Sequence, residues 1–185
     1  MQIKPRALSG TYMVTLEPKM DNRGFFMRTY DENLFQKYKI AHDWVQENQS
    51  RSIAKGIIRG LHFQLPPYTE SKLVRCTRGI IFDVFVDLRK DSPTFSHWDS
   101  IELSEENKKM IFIPAGFAHG FCTLTDNCEV LYRVDNYYHP EAEYGIIWND
   151  ATLKIKWPVN KPILSQRDAK LASFADFVER HKGLV

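Results

Sequence analysis

The chain has 185 residues, 43% hydrophobic and 26% charged, with a formal net charge of +2. That length suits one domain over residues 1–185 with a substantial core, and the composition excludes a disordered chain. The charge is too small for a nucleic-acid footprint, and no apolar run approaches the roughly 18 residues that crossing a bilayer requires.

The opening Met1-Gln2-Ile3-Lys4-Pro5-Arg6 lacks the apolar core of a secretory signal. Cys76, Cys122 and Cys128 lie in apolar strand-like stretches or a turn, and read as reduced thiols used as small core residues. A cytoplasmic location is the expectation.

In chain order, Asp21-Asn22-Arg23-Gly24-Phe25-Phe26 suits a turn that presents a cation and a stacking surface, although exposed arginine turns are commonplace. Asp31 is placed to cap a short helix carrying Leu34, Phe35 and Tyr38. Gly56 to Gln64 follows as a strand, with His62 on the face of Ile58, Gly60 and Gln64. A lone strand histidine is by default structural, so the weight of His62 depends on its company. Arg59 has the opposite parity, and reaches the same site only through a bulge near Gly60 or a contribution across subunits.

Lys72 falls on the face of Val74 and Cys76; pointing inward it needs an anion or a developing oxyanion, while at an edge it would snorkel to water. From Ile80 to Leu88 the chain alternates strictly, with Ile80, Phe82, Val84, Val86 and Leu88 on one face and Ile81, Asp83, Phe85 and Asp87 on the other. Met110–Ile113 and Glu129–Val134 read the same way. Tyr132 shares a face with Val130 and Val134, where a tyrosine is commonly a core residue with its hydroxyl satisfied. Turn signals separate these strands at Pro66-Pro67, Arg78-Gly79, Lys90-Asp91-Ser92-Pro93, Pro114-Ala115-Gly116 and Thr125-Asp126-Asn127. Ser173 to His181 reads as a helix. Many short strands with regular turns predict an all-β sandwich or barrel with a few short helices.

His62, Lys72, Tyr132 and Asp168, the last in a polar turn, supply a base, a cation, an acid and an orienting carboxylate. Proton transfer beside a carbonyl requires that set. Pro114 to Gly120, where a turn precedes a strand opening with His119, matches the second motif of the cupin barrels, whose histidine is often a metal ligand. Metal-binding cupins carry His-x-His and a glutamate in their first motif; here the run is His62-Phe63-Gln64, one imidazole short. No metal and no other cofactor is expected. A metal-dependent cupin dioxygenase or isomerase is an alternative, and a non-catalytic sugar-binding barrel is another, although the presence of both His62 and Tyr132 counts against the second.

Taken together, the segments resemble the dTDP-4-dehydrorhamnose 3,5-epimerase family of nucleotide-sugar epimerases over nearly the whole chain. The matches run from Asp21-Asn22-Arg23-Gly24 through Gln46 to Ser50, Gly56 to Gln64, Ser71 to Val74 and Phe82 to Arg89. They continue through Ser92-Pro93-Thr94-Phe95, Gly116 to Phe121, Tyr132, Tyr137-Tyr138, Trp148-Asn149-Asp150 and Trp157-Pro158 to Leu164 to Asp168.

The resemblance implies a cupin-type jelly-roll barrel, a homodimer and a metal-independent epimerase. Its implied substrate is dTDP-4-keto-6-deoxy-D-glucose, inverted at C3 and C5 to dTDP-4-keto-L-rhamnose on the way to dTDP-L-rhamnose. By the same implication His62 is the base, Asp168 its partner, Lys72 the stabiliser of the enolate oxygen, and Tyr132 the acid on the opposite face. Arg23 and Arg59 would hold the diphosphate, Gln46 and Asn48 add polar contacts, Tyr138 stacks on the nucleobase, and His119 lines the site. Phe26, Glu143 and Arg167 complete the implied binding residues. One departure stands out: the family pattern Asp-x-Arg-Gly-x-Phe-x-Glu ends here in Phe26-Met27-Arg28. Either Arg28 turns away, or the enzyme takes another nucleotide or sugar, or inverts C3 alone.

Overall fold

The computed structural model describes residues 1–184; Val185, the last residue of the expected domain, lies outside the described residues. Two antiparallel sheets face each other. One has the strand order β1 (Gln2–Pro5), β2 (Tyr12–Thr15), β10 (Lys109–Ile113), β7 (Lys72–Arg78), β12 (Cys128–Val134), β5 (Gln46–Ser52). The other runs β13 (Glu143–Gly145), β6 (Ile58–Gln64), β11 (Phe117–Thr123), β8 (Ile80–Asp87), β9 (Trp98–Ser104). A separate hairpin pairs β3 (Lys19–Asp21) with β4 (Gly24–Phe26).

The turn signals mark the corners of this barrel. Arg78-Gly79 carries the chain from β7 in one sheet to β8 in the other, Pro114-Ala115-Gly116 from β10 to β11, and Thr125-Asp126-Asn127 from β11 to β12. Each corner needs backbone that leaves the ladder, which Gly, Pro and Asn supply. β11 begins at Phe117, so His119 is its third residue and not its first.

Apolar side chains fill three layers. Val74, Ile81, Phe85, Ile111, Phe117, Phe121 and Val130 pack between the sheets. On the outer face of the five-stranded sheet, Leu61, Phe63, Val84 and Val86 meet α2 (Phe174–His181) through Phe174 and Phe177. On the outer face of the six-stranded sheet, Val14, Leu73, Met110 and Phe112 are covered by Phe35 of α1 (Glu32–Lys37). Strands buried on both faces read as apolar on both parities, which explains the sequence of β8.

Both helices start where the sequence places them. The Asp31 carboxylate accepts from the Leu34 N–H at 3.2 Å, and Ser173 and Asp176 form a reciprocal capping box. Tyr38 sits at the C-cap of α1, one residue beyond its last turn. Among the described residues no helix is long and apolar enough to cross a membrane.

Candidate active site

The inward faces of the strands change from apolar to polar toward one end of the barrel. On the six-stranded sheet, Lys72 follows the parity of Val74, Tyr132 that of Val130, and β5 contributes Gln46, Asn48 and Ser50 beside them. On the five-stranded sheet, His62 and Gln64 point the same way, opposite in parity to Leu61 and Phe63, which pack outward under α2.

A bulge brings Arg59 to the same side as His62. His62 pairs with His119 and Arg59 with Phe121, so β6 spends three steps where β11 takes two. Gly60 makes room: its φ is +120°, and a Cβ there would lie 2.6 Å from the Gly120 Cα. Both side chains therefore line one cavity.

That cavity measures about 450 Å³; among its lining residues are Arg59, His62, Lys72, His119, Tyr132, Arg167 and Asp168. A smaller space of about 140 Å³ shares His62, Lys72 and Tyr132 and adds Gln46, Asn48, Gln64, Glu70, Tyr138 and Glu143. The three shared side chains stand where the two spaces meet. His62 comes from one sheet, and Lys72 and Tyr132 from the other.

The ionisable groups are paired. His62 Nε2 lies 2.7 Å from Asp168 Oδ1, and a 3-10 turn (Asp168–Lys170) buries that carboxylate with its own N–H on Ser165 Oγ at 3.0 Å. Burial works against the Asp168 charge, but the His62 bond, the His62 charge and Ser165 outweigh it and hold its carboxyl below the usual range. His119 Nε2 lies 2.9 Å from Asp83 Oδ2. Asp83 is fully buried, and burial raises its carboxyl above the usual range, with His119 opposing. Burial also pushes up the Tyr132 phenol, and the Glu70 charge adds to this while Arg59 opposes it. Tyr132 thus holds its proton, as an acid must.

The binding residues are partly preorganised. Arg59 donates to Ser52 Oγ and to the Arg51 carbonyl, both at 3.0 Å. Glu143 joins Arg167 at 2.7 Å and accepts from the Tyr138 hydroxyl at 2.6 Å, while the Tyr138 N–H donates to Gln46 Oε1 at 2.7 Å. Burial opposes the Glu143 charge, but Arg167 and Tyr138 bring its carboxyl below the usual range.

Arg23 and Phe26 are placed apart from this constellation. They lie on the β3–β4 hairpin, Arg23 paired with Asp21 at 2.7 Å and Phe26 69% exposed, and neither lines either space. Arg28 turns to Asp31 at 2.8 Å, next to the helix cap and outside both spaces.

Three inward polar residues escaped the sequence reading of the site. Asp83 carried a signal, an acid between Ile81 and Phe85 on an apolar face; Glu70 lies in the loop just before Lys72 and lines the smaller space; Ser50 shares the parity of Asn48. Among the described residues no three His, Cys, Asp or Glu side chains converge as metal ligands, and each site histidine has a carboxylate partner. Gln64, at the place of the missing imidazole, is engaged with backbone: it donates to the Tyr68 and Tyr137 carbonyls and accepts from the His139 N–H.

Two facing antiparallel sheets, closed over a polar cavity lined by paired histidines and carboxylates, define an enzyme of the cupin-type barrel class. A family model described as dTDP-4-dehydrorhamnose 3,5-epimerase matches residues 5–176. The chain belongs to the dTDP-4-dehydrorhamnose 3,5-epimerase family, whose members are isomerase-class enzymes. It is 47% identical over 169 residues to that enzyme from Shigella flexneri, covering 89% of this chain and 92% of the relative. The crystal structure of the Bacillus anthracis enzyme, with TDP and PPi bound, superposes with a TM-score of 0.91 at 42% identity, covering 94% of this chain and 99% of that one. The Legionella pneumophila enzyme, in complex with dTDP-4-keto-L-rhamnose, gives a TM-score of 0.91 at 36% identity, covering 99% and 97%.

Proposed function

We propose that the chain inverts C3 and C5 of dTDP-4-keto-6-deoxy-D-glucose to give dTDP-4-keto-L-rhamnose. The observation that carries this reading is the placement of His62 and Tyr132 on facing sheets of one cavity, with Lys72 beside them. A sugar ring between the sheets would present one face to the histidine and the other to the phenol.

The C4 ketone acidifies the hydrogens at C3 and C5. His62 removes one of these protons, and the C–H electron pair moves into the ring to form an enolate at the C4 oxygen. Asp168 orients the imidazole and supports the positive charge it gains. Lys72 stands for the enolate oxygen, where charge develops in a water-poor site. Tyr132 gives its proton to the carbon from the opposite face, the enolate collapses to the ketone, and the centre is inverted. The phenolate and imidazolium then exchange protons with solvent, and the second carbon undergoes the same steps.

Arg59 and Arg167 supply charge for the diphosphate, and Tyr138, exposed at the rim, supplies a ring for the nucleobase. Arg28, two residues past Phe26, has its reversed charge paired with Asp31 within its own subunit. A homodimer accounts for the hairpin: Met20, Phe25 and Phe26 are 71%, 52% and 69% exposed, and would deliver Arg23 and Phe26 to a second subunit's site. A cytoplasmic location agrees with Cys76, Cys122 and Cys128 all being free and buried, the thiols of Cys76 and Cys122 pushed up by burial to about 12 and about 11.

Product trapping tests the activity. With dTDP-4-keto-6-deoxyglucose, NADPH and a 4-keto reductase specific for the L-lyxo sugar, the enzyme should drive NADPH oxidation and yield dTDP-L-rhamnose. Absence of that product, with the reductase shown active, would refute the assignment.

A further inference from the structure

We propose that Glu70 is a positioning residue for this reaction: it anchors the Lys72 ammonium and aims the remaining N–H donors of that group into the cavity. The inference rests on the Lys72 role given above and extends it to a residue outside the family motif. The Lys72 side chain is 9% exposed, and a buried ammonium needs a compensating anion. Among the described residues, Glu70 is the carboxylate bonded to it. Glu70 lies in the loop two residues before β7, lines the smaller space together with Lys72, and its side chain is itself 11% exposed.

Both carboxylate oxygens are engaged. Oε1 meets Lys72 Nζ, and Oε2 accepts from the Gln64 amide. The Tyr68 and Tyr137 carbonyls lie 2.9 and 3.0 Å from the same amide nitrogen, so its two hydrogens are shared among three acceptors, and its oxygen accepts from the His139 N–H at 2.6 Å. The backbone around Glu70 is held as well. Ser71 N–H donates to Asp135 Oδ1 at 2.6 Å, and the Thr69 carbonyl accepts from Asn136 Nδ2 at 3.3 Å.

An ammonium carries three donors and no fixed direction of its own. With one donor taken by a clamped carboxylate, the other two are directed before the substrate arrives. Donors fixed in advance cost no reorganisation when the oxyanion forms. The same carboxylate helps hold the Tyr132 phenol in its protonated form.

A double-mutant cycle on C3 hydrogen exchange with deuterated water separates this role from a structural one. E70Q should lower the saturated exchange rate about tenfold while KM moves less than about twofold. E70D, which keeps the charge one methylene short, should fall between wild type and E70Q. K72M should slow exchange by about 100-fold, and adding E70Q to K72M should change the rate by less than about twofold, because the anchored group is gone. An equal loss from E70Q in both backgrounds, a wild-type rate in E70Q, or an E70D rate at or below that of E70Q would overturn the proposal. Wild-type exchange in K72M would instead overturn the Lys72 role itself.

Discussion

Replacing Tyr132 by phenylalanine removes one hydroxyl from the cavity wall and leaves the His62–Asp168 pair intact. If the phenol is the second proton donor, Tyr132→Phe should still exchange the C3 hydrogen with solvent, because deprotonation and return from the His62 face need no phenol. Inversion should drop by about 100-fold or more; full inversion by that variant, read by the L-lyxo product, would remove Tyr132 from the role. At this scale much of the site was legible. Parity put His62 and Tyr132 on inward faces but left Lys72 open between the cavity and an edge, and of the two routes that reconcile Arg59 with His62, a bulge at Gly60 is present in the fold. The partners were harder to read. Asp83 meets His119 across a strand pairing, and Glu70 meets Gln64 across a loop, and neither contact has a sequence spacing that announces it.

Among the elements, α2 covers one sheet through Phe177, which is fully buried against Phe63, Phe174 and Tyr144. Phe177→Ala should cost about 3–5 kcal/mol, because the strands beneath cannot close over the void. Ser173→Ala should cost only about 1 kcal/mol, the worth of one cap. Denaturant melts would contradict this packing if the two losses were equal. Strands with an apolar face, such as β7, β8, β10 and β12, announce themselves by alternation. β5 does not: Gln46-Glu47-Asn48-Gln49-Ser50-Arg51-Ser52 has no apolar residue, since its inward face lines the cavity and its outward face is exposed. The hairpin β3–β4 was legible as a turn presenting an arginine and aromatic rings, but its exposure as a projecting element is a tertiary fact.

For the whole molecule, Asp87, Asp135 and Asp168 set the acid limit of the fold. Burial opposes each charge, yet Arg89 and Ser92 hold the Asp87 carboxyl below the usual range, and His42 and Ser71 do the same for Asp135, as His62 does for Asp168. A carboxyl lowered in the folded state stabilises it fully above the unfolded value of about 3.9, and that stabilisation is lost as pH falls through the lower folded value. Asp83, raised by burial, works in the opposite sense. Glu143, also lowered, adds to the first sense, and Tm should hold from pH 7 to 5 and fall steeply below about pH 4. A Tm unchanged between pH 5 and 3 would contradict this account.

The central claim, that His62 drives proton exchange on both sides of a C4 ketone, is tested most directly by proton NMR in deuterated water. Purified enzyme should place deuterium at C3 and C5 of dTDP-4-keto-6-deoxyglucose. His62→Asn, which keeps a hydrogen-bonding side chain beside Asp168, should place it at neither within the same time. Deuterium at C3 alone in the native enzyme, or undiminished exchange in the variant, would contradict it.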